Sequence, residues 1–159
     1  VEAWRDAMLL SCGTLDERLG GPPARLADEN HRRTIYVRIS RAEVEPMLRL
    51  FDFPDPSSHS PDRPATTTAL QQLFVLNGPL LAGQATALVK GMTAAGPATT
   101  EEEVRWIYRQ LFARSPTAQE IRLGVEFLST GTSGSKADRG LQQQYAQTLL
   151  GSNEFLFID

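Results

Sequence analysis

The chain has 159 residues, 41% hydrophobic and 22% charged, with a formal net charge of −3. That length suits one domain with a sizeable core, and that composition argues against wholesale disorder. The balance of 16 basic against 19 acidic side chains argues against a duplex nucleic-acid binder, which needs a basic face. One cysteine, Cys12, leaves no partner for an internal disulfide and no set of thiolates for a zinc site. No run approaches the roughly 18 apolar residues of a membrane span, and no signal segment opens the chain.

The opening VEAWRDAMLL is amphipathic helix without a cap and reads as a cut through a longer polypeptide. Val1, Trp4, Met8, Cys12, Leu15 and Leu19 recur at three and four residues, predicting one helical stripe with Cys12 as a small buried thiol. Gly20-Gly21-Pro22-Pro23 is the expected stop. From Arg32 the period changes. Ile35, Val37 and Ile39 alternate with Thr34, Tyr36, Arg38 and Ser40, which predicts a strand. A lone strand needs a partner: the C-terminal FLFID, the LFDF segment, or chain outside these residues.

Pro46 suits the first turn of a short helix carrying Met47, Leu48, Leu50 and Phe51. Pro54, Pro56, Pro61 and Pro64 then predict a stiffened loop. Thr68 with Gln71, Thr100 with Glu103, and Thr117 with Glu120 read as capping boxes opening three further helices. The first carries Leu70, Leu73, Phe74 and Leu76, and Asn77-Gly78-Pro79 breaks it. Next comes a helix bearing Leu80, Leu81, Ala85, Leu88, Val89 and Met92, up to Gly96-Pro97. Tight turns at 77–79 and 113–117 predict antiparallel neighbours. GTSGS at Gly131–Ser135 reads as a linker, and a last helix starts near Asp138. The predicted fold is mainly α: a single compact domain over residues 1–159, with six or seven helices and one short strand or extended segment near 34–40.

The motifs of haem attachment, phosphate loops, nucleophile elbows and paired-histidine zinc helices are missing from the sequence. The two histidines, His31 and His59, fall in predicted loops and read as solvated; a metal site would need Asp28, Glu29, Asp52 or Asp55 beside them. No catalytic residue, cofactor-binding residue or metal ligand is assigned. The polar cluster is in the centre: Arg32, Arg33, Arg38, Arg41, Arg49 and Arg63, with Asp52, Asp55 and Asp62. Arginine's planar fork pairs with carboxylates, its own chain's or a partner's. The structural expectation is that these arginines pair with Asp52, Asp55 and Glu43 to fix the loop. Of Thr66-Thr67-Thr68, one is explained by capping, and the helix start they precede favours an anion or carboxylate.

The segments EAWRDAMLLSCGTLD, GGP, RRTIYVRISR, LFDFPDP, R-x-x-TTTALQQLFVLN-x-P from Arg63, IYRQLFARSPTAQEI and LLGSNEFLFID occur in this order. In them the chain resembles the C-terminal domain family of unknown function 1553, abundant in large planctomycete proteins. The resemblance implies a larger exported parent, periplasmic or extracellular. There such domains follow a second uncharacterised domain, often with a cytochrome c-type domain and sometimes a carbohydrate-binding module. It implies no catalytic residue, and any haem belongs elsewhere in the parent. The family's recurring Arg, Asp and Thr positions correspond to Arg33, Arg38, Asp52, Asp55, Arg63 and Thr67, which stand as the possible binding groove.

Two functional readings follow. One is a non-catalytic helical interaction or structural module, packing on an upstream domain of the same polypeptide and offering the groove to a polysaccharide or protein. The alternative is the C-terminal part of a redox-linked or polysaccharide-directed enzyme whose active site the upstream domain completes. Mutual pairing within the cluster favours the first; convergence of unpaired groups in one open pocket favours the second.

Overall fold

The computed structural model describes residues 1–159 except 28, 43, 60–65, 67, 131–137 and 158–159. The expected linker Gly131–Ser135 therefore lies outside the described residues. Eight α-helices follow in chain order: α1 (Glu2–Ser11), α2 (Pro46–Leu50), α3 (Ala69–Asn77), α4 (Pro79–Ala95), α5 (Thr100–Phe112), α6 (Ala118–Ser129), α7 (Arg139–Leu150) and α8 (Asn153–Leu156). The mainly α expectation holds.

The core is built around α4. Every apolar residue expected to face inward from it, Leu80, Leu81, Ala85, Leu88, Val89 and Met92, is buried. Its most extensive partner is α7, and α5 packs in turn on α6. Gly124 of α6 is required by that packing: a Cβ there would lie 2.5 Å from Tyr145 Oη and 2.8 Å from Val104 Cγ2. The capping boxes at Thr68/Gln71 and Thr117/Glu120 form as expected, while the third is set one residue earlier, at Thr99/Glu102. Glu102 is the residue that reaches back to the cap, and Glu103 is thereby free to turn inward.

Three expectations need correction. First, α1 stops at Ser11, well before the double glycine. Gly13, at φ 70°, takes the left-handed turn, and the amides of Thr14 and Leu15 both return to the Leu9 carbonyl, so Leu19 ends 82% exposed. Second, residues 34–40 form no regular strand. Thr34–Tyr36 is a 3-10 turn, and only Val37 makes a ladder-type bridge, to Ala24. The turn rotates the side chains out of alternation: Thr34 and Val37 are buried, while Ile35 is 78% exposed. The partner is therefore the segment just after the prolines, through Ala24 N–H to Tyr36 O (3.0 Å) and Arg38 N–H to Ala24 O (2.8 Å).

Third, α3 and α4 do not fold back on each other. They join through Gly78 with a bend of 43°. The Gly78 amide still bonds the Phe74 carbonyl at 2.8 Å, so one residue is too little chain for reversal. No single helix among the described residues is long and apolar enough to cross a membrane; α3 and α4 reach that length only together, across this bend.

Candidate functional site

The stretch from Arg32 onward is anchored by two residues of α1 that an apolar stripe does not reveal. Arg5 is 1% exposed. Its Nη1 donates to the Arg32 carbonyl at 2.9 Å and to Thr34 Oγ1 at 3.1 Å, and its Nη2 donates to the Asn30 carbonyl. Asp6 Oδ1 accepts from the Thr34 amide at 2.8 Å and from its hydroxyl at 2.6 Å. Burial pushes the Arg5 guanidinium below its usual range, and the Asp6 carboxylate pulls it back up. Arg32 lies over the Tyr36 ring at 4.4 Å and ties down the Gly/Pro segment through the Pro22 and Gly20 carbonyls. These interactions are internal, and they commit the terminal nitrogens of Arg5 and Arg32 within the chain.

Four of the groove candidates, Arg33, Arg38, Asp52 and Asp55, are among the described residues. Arg33 pairs with Asp6 at 3.6 Å. It opens on one cavity with Ile35, Ile39 and Phe53, whereas Arg38 opens on another with Arg25, Ser40 and Glu45. Asp52 closes α2 at φ 57°, a left-handed position usually filled by glycine. Its Oδ2 accepts from the Thr66 amide (2.9 Å) and hydroxyl (2.6 Å), which hold the carboxyl below the ordinary carboxylate range. The carboxylate expected near the threonine run is thus the chain's own. Asp55 receives the amide and hydroxyl of Ser57 and is likewise lowered. Arg63 and Thr67 lie outside the described residues, as do Glu43 and Asp62. Among the described candidates, Asp52 and Asp55 close local loops, and Arg33 and Arg38 open on different cavities.

Cys12 is buried at the end of α1, and that burial pushes its thiol up to about 12, so it stays protonated and unreactive. Among the described residues no group of three His, Cys, Asp or Glu is placed to hold a metal ion.

One surface stands out, and periodicity misassigned it. Leu70, Leu73 and Leu76, expected to face the core, are 67%, 55% and 47% exposed on α3. Positions i, i+3 and i+6 form one face. The buried side holds Val75 and, less expectedly, Gln71, whose amide donates to the Leu50 carbonyl at 3.0 Å while its oxygen closes the capping box. The box fixes the rotation of α3, and with it the outward leucines. Nothing in the spacing alone marks this, because the two faces of α3 are both rich in apolar residues.

The spacing likewise gives no sign of a buried carboxyl: Glu103, 7% exposed, accepts a hydrogen bond from Gln142 of α7. Comparison with curated proteins and with solved structures finds no match. A family model does match, over residues 1–128, so that LLGSNEFLFID falls beyond the matched part. Spanning most of the chain, that match shows that the chain belongs to the family described as PSD1, protein of unknown function (DUF1553).

Proposed function

We propose that this domain is a non-catalytic interaction module that packs on another domain of the same polypeptide, with the leucine face of α3 as the contact. The parent would work outside the cytoplasm, as the resemblance in sequence implies. The observation that carries the reading is the exposure of Leu70, Leu73 and Leu76 on a helix without a single charged residue. Interface cores are depleted in charge, and each such side chain contributes roughly 1.5–3 kcal/mol on burial. The pairing of Asp52 with Thr66 and of Asp55 with Ser57 supports the same reading, since these carboxylates are taken up within the chain.

The test is the double variant Leu70→Glu/Leu73→Glu. Melting of the domain itself should move little, by about 0.5 kcal/mol or less, because both side chains already face water. Association with the rest of the polypeptide, measured by calorimetry between the separated parts, should be lost. Undiminished association would refute the assignment of this face.

A further inference from the structure

Between the C-terminus of α4 and the first turns of α5 and α7 lies a cavity of about 140 Å³, lined by Met92, Thr93, Gly96, Glu103, Arg139 and Gln142 among others. Glu103 and Gln142 are 7% and 6% exposed. Glu103 Oε1 accepts from Gln142 Nε2 at 3.1 Å, but Oε2 is buried with no hydrogen-bond partner. A buried carboxyl oxygen without a donor is costly, so such an atom marks a place where a donor belongs. Arg139, the one cation on the lining, gives it no hydrogen bond.

The surroundings also favour a donor-rich cation. Thr93 gives its hydroxyl proton to the Val89 carbonyl at 2.8 Å, so that Oγ1 has lone pairs left to offer. Gly96, at φ 70°, ends α4 by returning its amide to the Met92 and Thr93 carbonyls at 3.2 Å each. The remaining carbonyls of the last turn carry the negative end of the helix. A divalent metal is a poor match, because Glu103 is the single anion on the lining and such ions gather several oxygen ligands, carboxylates foremost.

We propose that this cavity is a binding site for a primary ammonium group, supplied by a small alkylamine or by a lysine side chain. An ammonium presents three N–H donors and no acceptor, which complements Glu103 Oε2 and Thr93 Oγ1. Charge-assisted bonds of that kind are about twice as strong as neutral ones.

Amide chemical shifts of the ¹⁵N-labelled chain, titrated with methylammonium chloride, test this. Sodium chloride serves as the ionic-strength control and tetramethylammonium chloride as a cation without N–H donors. Saturable shifts at Thr93, Gly96 and Gln142 are expected with methylammonium alone. Nα-acetyl-lysine methylamide should bind more tightly than methylammonium if a lysine is the natural occupant, and no more tightly if a small amine is; either result supports an ammonium site. Glu103→Gln should weaken binding about tenfold or more, a change of about 1.4 kcal/mol or more. Thr93→Val should also weaken it, and serves if the first variant misfolds. Arg139→Ala, which removes a competing positive charge, should strengthen it. Identical shifts in all three salts would mean a water-filled cavity only, and binding unaffected by Glu103→Gln or Thr93→Val would equally overturn the proposal.

Discussion

Arg5 Nη1 and the carbonyl of Arg32 meet at 2.9 Å, joining the first helix to a segment 27 residues further on. Through this bond and its neighbours α1 shapes a long stretch of chain that has little regular structure of its own. Arg5→Met keeps the apolar stem but leaves the Arg32 and Asn30 carbonyls without their donor. A loss of about 3 kcal/mol in unfolding free energy is expected from denaturant titration. Arg33→Ala should cost about 0.5 kcal/mol or less, since its side chain is 54% exposed and pairs with Asp6 only at 3.6 Å.

Asp52 is the clamp between the end of α2 and the start of α3. Asp52→Ala removes both bonds to Thr66 and keeps the left-handed backbone position that alanine tolerates poorly. Amide hydrogen exchange at Thr66 and Gln71 should quicken in this variant, while exchange along α5 stays as it was.

Acid should release the other clamp. Arg114 donates to Glu120 at 2.7 and 3.0 Å and to Glu154 at 2.6 and 2.8 Å, and lies over the rings of Tyr108 and Phe112. Hydrogen bonds from Arg114 come first among the causes that lower Glu120 from 4.5 to about 2. A carboxyl depressed on folding contributes stability in full above its unfolded value and loses it as pH falls through the folded one. The contribution should therefore fade between about pH 4.5 and pH 2. Denaturation midpoints across that window should fall less steeply in Glu120→Gln. Arg114→Ala should cost about 1–2 kcal/mol near neutrality, above a lone surface pair because two carboxylates share one guanidinium.

Gly124→Ala tests the packing of α5, α6 and α7. The added methyl would meet Tyr145 Oη and Val104 Cγ2 inside contact distance. Tyr145 is buried, with its ring centroid 5.8 Å from that of Phe127, so it has little room to move aside. A loss of about 1–3 kcal/mol in thermal or denaturant unfolding is expected.

What the sequence made legible follows from how each signal arises. The inward face of α4 was readable because one side of that helix is consistently large and apolar, and burial follows volume and hydrophobicity. The caps at Thr68 and Thr117 were readable because they are local chemistry. Residues 34–40 misled because alternation records which side chains are apolar, and a 3-10 turn at Thr34–Tyr36 reorders which of them face inward. Arg5 was invisible for a related reason: a charged residue inside an apolar stripe gives no hint that its donors have carbonyl partners some 25 residues on. Spacing alone places the α3 leucines inward, yet Gln71 reaching the Leu50 carbonyl turns them outward. Of the groove candidates, Asp55 closes a local turn with Ser57, two residues on, whereas Arg33 and Asp52 find Asp6 and Thr66, partners that become neighbours only on folding.

The central claim concerns the exposed side of α3, and amide hydrogen exchange measured on the full-length polypeptide and on this domain alone addresses it most directly. The account predicts that exchange slows in the full-length protein at α3, from Ala69 to Asn77, and that Leu70→Glu/Leu73→Glu restores the faster rate. Equal exchange at α3 in the two samples would contradict it.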